Sequence, residues 1–215
     1  MGAAVPKQFL RLGGKTILQL SIERMVEAVP DVKLVLALPE GYFDFWAREC
    51  REKGLECRMS LVPGGQTRFH SVKSALSAVP DNAAVAVHDA VRPFAGVGLI
   101  RGLFAEVENV PAAVPVIPVT DTLKVLDASQ DGSFRARPGA EADRSVLFGA
   151  QTPQLFRSEI LKAAYSQEYE KKFTDDASLV EAYGVPVKYV LGEKYNIKIT
   201  TPEDMALAGL ISSSL

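Results

Sequence analysis

The 215-residue chain contains 47% apolar and 23% charged residues, the composition of a globular protein rather than of a disordered or fibrous one. Its formal net charge of −2 excludes a general electrostatic attraction to nucleic acid or to an anionic membrane. The length suits one domain, residues 1–215. With neither a signal-peptide pattern nor an apolar stretch long enough to span a bilayer, the sequence predicts a cytoplasmic protein.

Cysteine and histidine are too few and too scattered to suggest a structural zinc site. Cys50 and Cys57 do not form a C-x-x-C pair, and only His70 and His88 could join them. Nothing in the pattern supports a disulfide, so we expect reduced thiols. Because the net charge is slightly negative, any anion-binding site must be a local concentration of positive groups.

Apolar patterning alternates between helical and extended segments along the chain. The predicted helices lie at 18–29, 72–79 and 99–107, and the predicted strands at 34–38, 84–87, 114–119 and 186–191. This order indicates an α/β fold with a Rossmann-like, mostly parallel sheet that carries helices on both faces. Ligands of such sheets bind beyond the carboxyl ends of the strands, so the residues that follow strands are the first candidates for a site.

Residues 120–144 depart from this alternation. A Gly/Ser-rich polar turn lies in their middle, and no amphipathic helix fits the segment. We therefore predict a β-hairpin that projects from the body, and we call residues 120–144 the arm.

Two loops after predicted strands could bind phosphate. Gly64 and Gly65 precede a helix, so the backbone could approach a ligand closely there, although a plain strand-to-helix turn is the favoured explanation of the glycines taken alone. Asp89 could hold a metal ion or a substrate hydroxyl, and Arg92 could clamp a phosphate. A local Asp–Arg ion pair is the alternative, and a structural role is favoured for His88.

Near the C-terminus, helix signals and a possible functional lysine lie side by side. Thr201 suits the N-cap of a last helix, and residues 174–176 suit the N-cap and acidic first turn of an earlier one. Lys198 lies between Ile197 and Ile199 in an extended segment, so its side chain should face away from both. It could simply be solvated, as most lysines are.

Taken together, the loop sequences form a specific series along the whole chain. The series is Pro6-Lys7-Gln8-Phe9-Leu10, Gly64-Gly65-x-x-Arg68-x-x-Ser71-Val72, His88-Asp89-Ala90-Val91-Arg92-Pro93, Asp121-Thr122, Gln151-Thr152-Pro153-Gln154, Thr174-Asp175-Asp176-Ala177-Ser178 and Asn196-Ile197-Lys198. It resembles the 2-C-methyl-D-erythritol 4-phosphate cytidylyltransferases of the non-mevalonate isoprenoid pathway. The resemblance implies a nucleotidyltransferase fold, the substrates CTP and a polyol phosphate, and Mg²⁺ as cofactor.

The resemblance also implies a role for individual residues. The expected catalytic residues are Lys7, Arg144 and Lys198. The expected nucleotide-binding residues are Gly65, Gln66, Ser71, Asp89 and Ala90. The expected substrate-binding residues are Asp89, Arg92, Thr122, Arg144, Thr152 and Lys198, and Asp89 is the candidate metal ligand. Members of the family exchange their arms between two subunits, which implies a homodimer in which Thr122 and Arg144 complete the partner's site.

One part of the family pattern has no counterpart before Pro6. The family has a strand and a glycine-rich loop with a basic residue upstream of its Pro-Lys-Gln sequence. We expect either that the polypeptide starts upstream of Met1 or that it is a noncatalytic relative, and the intact downstream residues favour the first. The chain as printed is expected to be poorly stable and nearly inactive.

Two other functions stay open at this point. A ribitol-5-phosphate cytidylyltransferase would share the fold, CTP and most of the loops, although residues 174–181 read more like the methylerythritol enzymes. A noncatalytic nucleotide-binding scaffold is the alternative from a different class.

Overall fold

The computed structural model describes residues 5–55 and 59–214. The helices are α1 (Ile17–Ala28), α2 (Phe43–Lys53), α3 (Arg68–Leu76), α4 (Val97–Val107), α5 (Ser158–Ala164), α6 (Asp176–Ala182) and α7 (Pro202–Ser214). The strands are β1 (Arg11–Leu12), β2 (Lys15–Thr16), β3 (Leu34–Leu38), β4 (Met59–Pro63), β5 (Ala84–Val87), β6 (Ala112–Pro118), β7 (Leu126–Ala128), β8 (Phe134–Ala136), β9 (Phe148–Ala150), β10 (Gln154–Arg157) and β11 (Lys188–Leu191). Single 3-10 turns lie at Lys7–Phe9, Glu40–Tyr42 and Arg144–Val146.

Local capping explains where several helices begin and end. Thr16 caps α1 by accepting a hydrogen bond from the N–H of Gln19, and Thr67 caps α3 by accepting one from the N–H of His70. Helix α2 ends at Gly54, whose φ of 62° is the left-handed conformation that glycine adopts at little cost. The cap at Thr67 fixes the start of α3 directly after residues 63–67, which include Gly64 and Gly65 and which we call the glycine loop.

Among the described residues, the main sheet has five strands and is mixed. Strands β5, β10, β6 and β11 are neighbours in that order, and β9 also pairs with β6. Strand β11 is parallel to β6, whereas β10 is antiparallel to both β5 and β6. Strands β5, β6 and β11 therefore point the same way. Strands β3 and β4 form a separate parallel pair, and within the described ranges no strand pairing joins it to the main sheet.

Helices cover both faces of this sheet, as the sequence predicts. Ala112 and Val114 of β6 and Phe156 of β10 are buried against α3, α5 and α6. The intervening residues, Ala113 of β6 and Leu155 of β10, are buried against α4 on the other face. Alternate residues of one strand thus belong to different apolar clusters, because successive side chains point to opposite faces. The predicted α/β class is confirmed.

One strand was not predicted. The sequence indicates at residues 151–154 only a connection, most simply a turn, into a helix that starts near Ser158, and α5 does begin at Ser158. The preceding residues, however, form β10 between β5 and β6. Only Leu155 and Phe156 are apolar there, so the run is too short to indicate a strand by its pattern.

The arm contains the predicted hairpin. Strands β7 and β8 pair antiparallel, with Leu126 opposite Ala136, and Phe134 of β8 is 68% exposed. That the arm serves dimerisation, and that residues 1–215 form one domain, stay predictions.

The expectations about membrane-spanning segments and about the thiols can be compared with the described residues only. None of the helices within residues 5–55 and 59–214 combines the length and the apolarity needed to cross a bilayer. Cys50 is half-buried in α2, whereas Cys57 lies outside the described residues, so the expectation of reduced thiols is not tested.

Candidate active site

A cavity of about 230 Å³ lies where strands of the main sheet end. Its walls carry three cationic side chains and two carboxylates among their polar groups. The lining residues are Arg68, Asp89, Arg92, Ala150, Thr152, Gln154, Thr174, Asp175 and Lys198. The antiparallel pairing of β10 with β5 explains the grouping, because it brings residues that precede β10 beside residues that follow β5. The excess of positive groups suits an anionic ligand.

Asp89 lies among the three cations of the cavity. Its Oδ2 is 3.1 Å from Lys198 Nζ and 3.3 Å from Arg92 Nε, and its Oδ1 is 3.6 Å from Arg68 Nε. Burial by itself would raise the pKa of Asp89, but the ammonium of Lys198 and the two guanidinium groups outweigh it and hold the pKa below its ordinary value. Asp89 is therefore ionised at neutral pH and keeps the cations close together.

Arg68 connects Asp89 to a buried carboxylate behind the cavity. Arg68 Nη2 is 2.5 Å from Oδ2 of Asp176, a residue without solvent exposure, and Tyr165 Oη donates to the other oxygen at 2.5 Å. Burial and the neighbouring carboxylate of Asp176 raise the pKa of Tyr165, which stays protonated as a donor. Asp176 thus fixes Arg68 from behind, so that its guanidinium can face Asp89.

His88 orders the hydroxyl of Thr152. His88 Nε2 is 3.1 Å from the carbonyl oxygen of Arg92, which can only accept, so Nε2 carries the proton. His88 Nδ1 then accepts from Thr152 Oγ1 at 3.0 Å, and Oγ1 in turn accepts from the N–H of Asp89 at 3.0 Å. The favoured structural reading of His88 agrees with these contacts, which tie the loop after β5 to the residues before β10.

The glycine loop is closed by a serine. The N–H of Gly65 donates to Ser71 Oγ at 3.0 Å, and Ser71 Oγ donates to the carbonyl oxygen of Thr67 at 3.0 Å. A Cβ at position 65 would collide with His70, so glycine is required at this close approach. The loop therefore has more structure than a plain turn, and Gln66 within it is exposed.

The structure brings together four of the predicted site residues. Asp89, Arg92, Thr152 and Lys198 line the cavity. As predicted, Lys198 is exposed while its neighbour Ile199 is buried, although the segment is extended without belonging to a strand. Asp89 and Arg92 form the predicted local ion contact and also face the cavity, and their binding roles stay predictions.

The other predicted site residues lie outside the cavity walls. Lys7 lies half-buried in a 3-10 turn, and Ala90 packs against an apolar cluster. Gly65 lies in the glycine loop, and Ser71 of α3 accepts the hydrogen bond of its N–H. Two residues belong to the arm: Thr122 is exposed, and Arg144 Nη1 donates to the carbonyl oxygen of Thr120 at 2.8 Å. These last two do not meet the cavity of their own chain.

Sequence reasoning missed the cavity roles of Arg68, Gln154 and Asp175. Gln154 Nε2 donates to Asp175 Oδ2 at 2.8 Å, and Gln154 Oε1 accepts from the N–H of Ala177. Asp175 is the N-cap of α6, within the segment 174–176 that was expected to supply the N-cap and the acidic first turn, and that expectation left no reason to place Asp175 in a cavity. Arg68 belongs to the loop sequences that carry the family resemblance, but its partner Asp176 is 108 residues away and no local pattern connects the two.

The described residues do not form a metal site by themselves. Within the described ranges no group of three or more His, Cys, Asp or Glu side chains could hold an ion. Both oxygens of Asp89 already face cationic groups. An Mg²⁺ ion could be held here only together with oxygen ligands from a bound nucleotide.

A mixed sheet between helices, with a cationic cavity at the strand ends, is typical of an α/β protein that binds an anionic ligand. The sequence model of the family described as 2-C-methyl-D-erythritol 4-phosphate cytidylyltransferase matches residues 1–214. The chain belongs to this family.

Individual relatives agree with this assignment. The chain is 42% identical over 212 residues to the 2-C-methyl-D-erythritol 4-phosphate cytidylyltransferase of Bacteroides fragilis, covering 98% of this chain and 93% of the relative. It is 41% identical over 215 residues to the enzyme of the same description from Porphyromonas gingivalis, covering 100% and 92%. The crystal structure of the Thermus thermophilus enzyme superposes with a TM-score of 0.76 at 33% identity, covering 97% of this chain and 94% of that one.

Proposed function

We propose that this protein transfers the cytidylyl group of CTP to 2-C-methyl-D-erythritol 4-phosphate in isoprenoid precursor biosynthesis. A phosphate oxygen of the polyol phosphate forms a bond to the α-phosphorus of CTP. The bond from that phosphorus to the β-phosphate oxygen breaks, and diphosphate leaves with its electron pair. The observation that supports this most is the cluster of Lys198, Arg92 and Arg68 around Asp89 in one cavity.

Such a reaction needs charge stabilisation and alignment more than acid–base chemistry. The two reacting phosphates repel one another, so cations must hold them together. We assign this task to Lys198, with Lys7 stabilising the charge that develops on the triphosphate. Arg144 of a second subunit positions the polyol phosphate.

The remaining residues recognise the two substrates. Gly65, Gln66 and Ser71 read the cytosine through the glycine loop. Asp89 and Ala90 contact the nucleotide. The residues assigned to the polyol phosphate are Asp89, Arg92, Thr122, Thr152, Arg144 and Lys198. Because Thr152 gives its hydroxyl proton to His88, it can accept a hydrogen bond from a substrate hydroxyl.

The arm supports the proposal of a homodimer with exchanged arms. It and the residues after it expose large apolar side chains that a second copy could cover. These are Leu126 at 43%, Phe134 at 68%, Val146 at 70% and Phe148 at 52% exposure. Thr122 and Arg144 lie on the same segment, so an exchanged arm would carry both to the second copy, where we assign them to its cavity.

Magnesium and location complete the proposal. Since the described residues offer no metal cage, Mg²⁺ would arrive with the triphosphate, and Asp89 is the candidate to contribute one carboxylate. Chelation with EDTA should abolish turnover, and added Mg²⁺ should restore it.

We place the protein in the cytoplasm, where CTP is available.

The decisive measurement is diphosphate release from CTP by the purified protein. We expect release with 2-C-methyl-D-erythritol 4-phosphate and little with ribitol 5-phosphate. Release with ribitol 5-phosphate alone would assign the rival cytidylyltransferase activity. No release with either would leave a nucleotide-binding scaffold, and replacing CTP by UTP or ATP controls for the base.

A further inference from the structure

Gln151 connects the segment before β10 to the turn that precedes Lys198. Its side chain is buried, and its Nε2 donates to the carbonyl oxygens of Glu193 at 2.8 Å and Asn196 at 3.3 Å. Its Oε1 accepts from the N–H of Glu193 at 3.1 Å and from Asn196 Nδ2 at 3.4 Å. Both ends of one amide are therefore engaged on the same turn, residues 192–196.

Two glycines leave the space that the contacts of this turn need. A Cβ at Gly192 would collide with Gln151 Oε1, so glycine admits the side chain. The carboxylate of Glu193 accepts from the N–H of Gly96 at 2.8 Å, and a Cβ at Gly96 would collide with that carboxylate. The turn is thus held against the start of α4 as well as against Gln151.

These contacts determine where the chain leads into Lys198. The carbonyl oxygen of Asn196 also accepts from Arg92 Nη1 at 2.7 Å, and the N–H of Ile199 donates to the carbonyl oxygen of Val91 at 2.9 Å. The backbone is fixed two residues before Lys198 and one residue after it. Its ammonium group consequently lies in the cavity, 3.1 Å from Asp89.

We propose that Gln151 is a positioning residue for Lys198, which it serves by closing the turn at residues 192–196. Gln151 itself is not one of the residues that line the cavity. The inference rests on the proposed role of Lys198 in cytidylyl transfer. A displacement of about 1 Å can cost on the order of 10²-fold in rate, so loss of this amide should affect turnover strongly.

Gln151→Glu is the sharpest variant because it keeps the shape and removes the donor that faces two carbonyl oxygens. Gln167 offers a matched control. Its Nε2 likewise donates to two main-chain carbonyl oxygens, those of Ala164 at 3.0 Å and Leu179 at 3.1 Å, but it does not line the cavity or contact the turn. Gln167→Glu therefore makes the same chemical change elsewhere.

We expect Gln151→Glu to lower kcat on the order of 10²-fold with a much smaller change in KM for CTP, and Gln167→Glu to leave kcat within about twofold. In a Lys198→Ala background, Gln151→Glu should have no further effect on kcat. Equal losses from Gln151→Glu in both backgrounds would overturn the proposal, and so would a loss from Gln167→Glu as large as that from Gln151→Glu.

A second measurement keeps the proposal testable if Gln151→Glu does not fold or if the wild-type protein has no activity. Gln151→Leu conserves volume without placing a charge in the interior. In this variant, hydrogen exchange at the N–H of Glu193 should accelerate on the order of tenfold, while exchange in α5 stays unchanged. Unchanged exchange at Glu193 would contradict the positioning role whatever the reaction is.

Discussion

The cavity and the arm hold proposed site residues in opposite surroundings. In the cavity, the side chains of Asp89 and Arg92 are each 12% exposed and have partners from several elements of the same chain. In the arm, Thr122 and Arg144 are exposed, and Phe134 of the arm's hairpin is 68% exposed. The cavity is organised by its own chain, whereas the arm presents surface that its own chain does not cover.

This difference separates two ways of building one active site. Residues of the cavity can be preorganised before any partner arrives, since their ion contacts and hydrogen bonds already exist. Residues of the arm can reach a reacting phosphate only through association with a second copy. Variants of the two regions should therefore behave differently when two defective proteins are mixed.

Removal of the cavity ammonium should have the largest effect on catalysis. Lys198→Ala is expected to lower turnover on the order of 10²–10³-fold, because a preorganised charge-stabilising donor is lost, and Lys7→Ala should behave alike. Steady-state kinetics of the purified variants provides the measurement. Lys33→Ala, which removes an exposed lysine from a surface loop, is the control. Wild-type turnover in either active-site variant would remove that lysine from its assigned role.

Mixing a cavity variant with an arm variant tests whether the two regions act across subunits. Arg144→Ala alone should lose on the order of 10²-fold in turnover, as Lys198→Ala does. If arms are exchanged, each mixed dimer contains one intact site, so co-expression at equal levels should restore about a quarter of wild-type activity. No restoration in isolated mixed dimers would show that Arg144 acts on its own chain's cavity.

The sequence predicted the elements that frame the cavity better than the contacts inside it. Continuous apolar runs located β3 and β5 residue for residue, at 34–38 and 84–87, because a strand buried between helices needs apolar residues on both faces. The loop after β5 followed from that placement. Asp89 and Arg92 could thus be named as candidates before any fold was known.

Contacts between distant segments could not be predicted in this way. Gln151 and Glu193 are 42 residues apart, and Arg68 and Asp176 are 108 residues apart. Their pairing depends on the tertiary fold, including the insertion of β10 between β5 and β6, a strand whose two apolar residues were too few to reveal it. Local patterns explained Asp176 as part of an acidic first helical turn, and this explanation concealed its ion pair with the cavity wall.

The carboxylate behind the cavity should matter more for stability than an exposed one. Asp176→Asn leaves Arg68 without its buried partner, so the free energy of unfolding should fall by about 3 kcal/mol. Asp81 pairs with Lys162 at the surface with 73% of its side chain exposed, and Asp81→Asn should cost about 0.5 kcal/mol or less. Urea unfolding at pH 7 measures both. Equal stability of the two variants would mean that the buried ion pair contributes no more than the surface one.

A smaller effect is expected from His88, which lies at the junction of the loop after β5 and the segment before β10. Burial lowers its pKa from 6.5 to about 4 and outweighs the nearby carboxylate of Asp89, which alone would raise it. Between these two values the unfolded chain binds a proton that the folded chain does not, so stability is fully present above pH 6.5 and declines as the pH falls towards 4.

The free energy of unfolding should therefore drop by at most about 1.5 kcal/mol between about pH 6.5 and pH 5 through His88. The pKa of Asp89 is also depressed, but from 3.8, so Asp89 contributes only at lower pH. Urea unfolding at several pH values should show this decline in the wild-type protein and a shallower one in His88→Asn, whereas His70→Asn should retain it. If the two histidine variants decline alike, the protonation of His88 is not what couples the cavity loop to the stability of the fold.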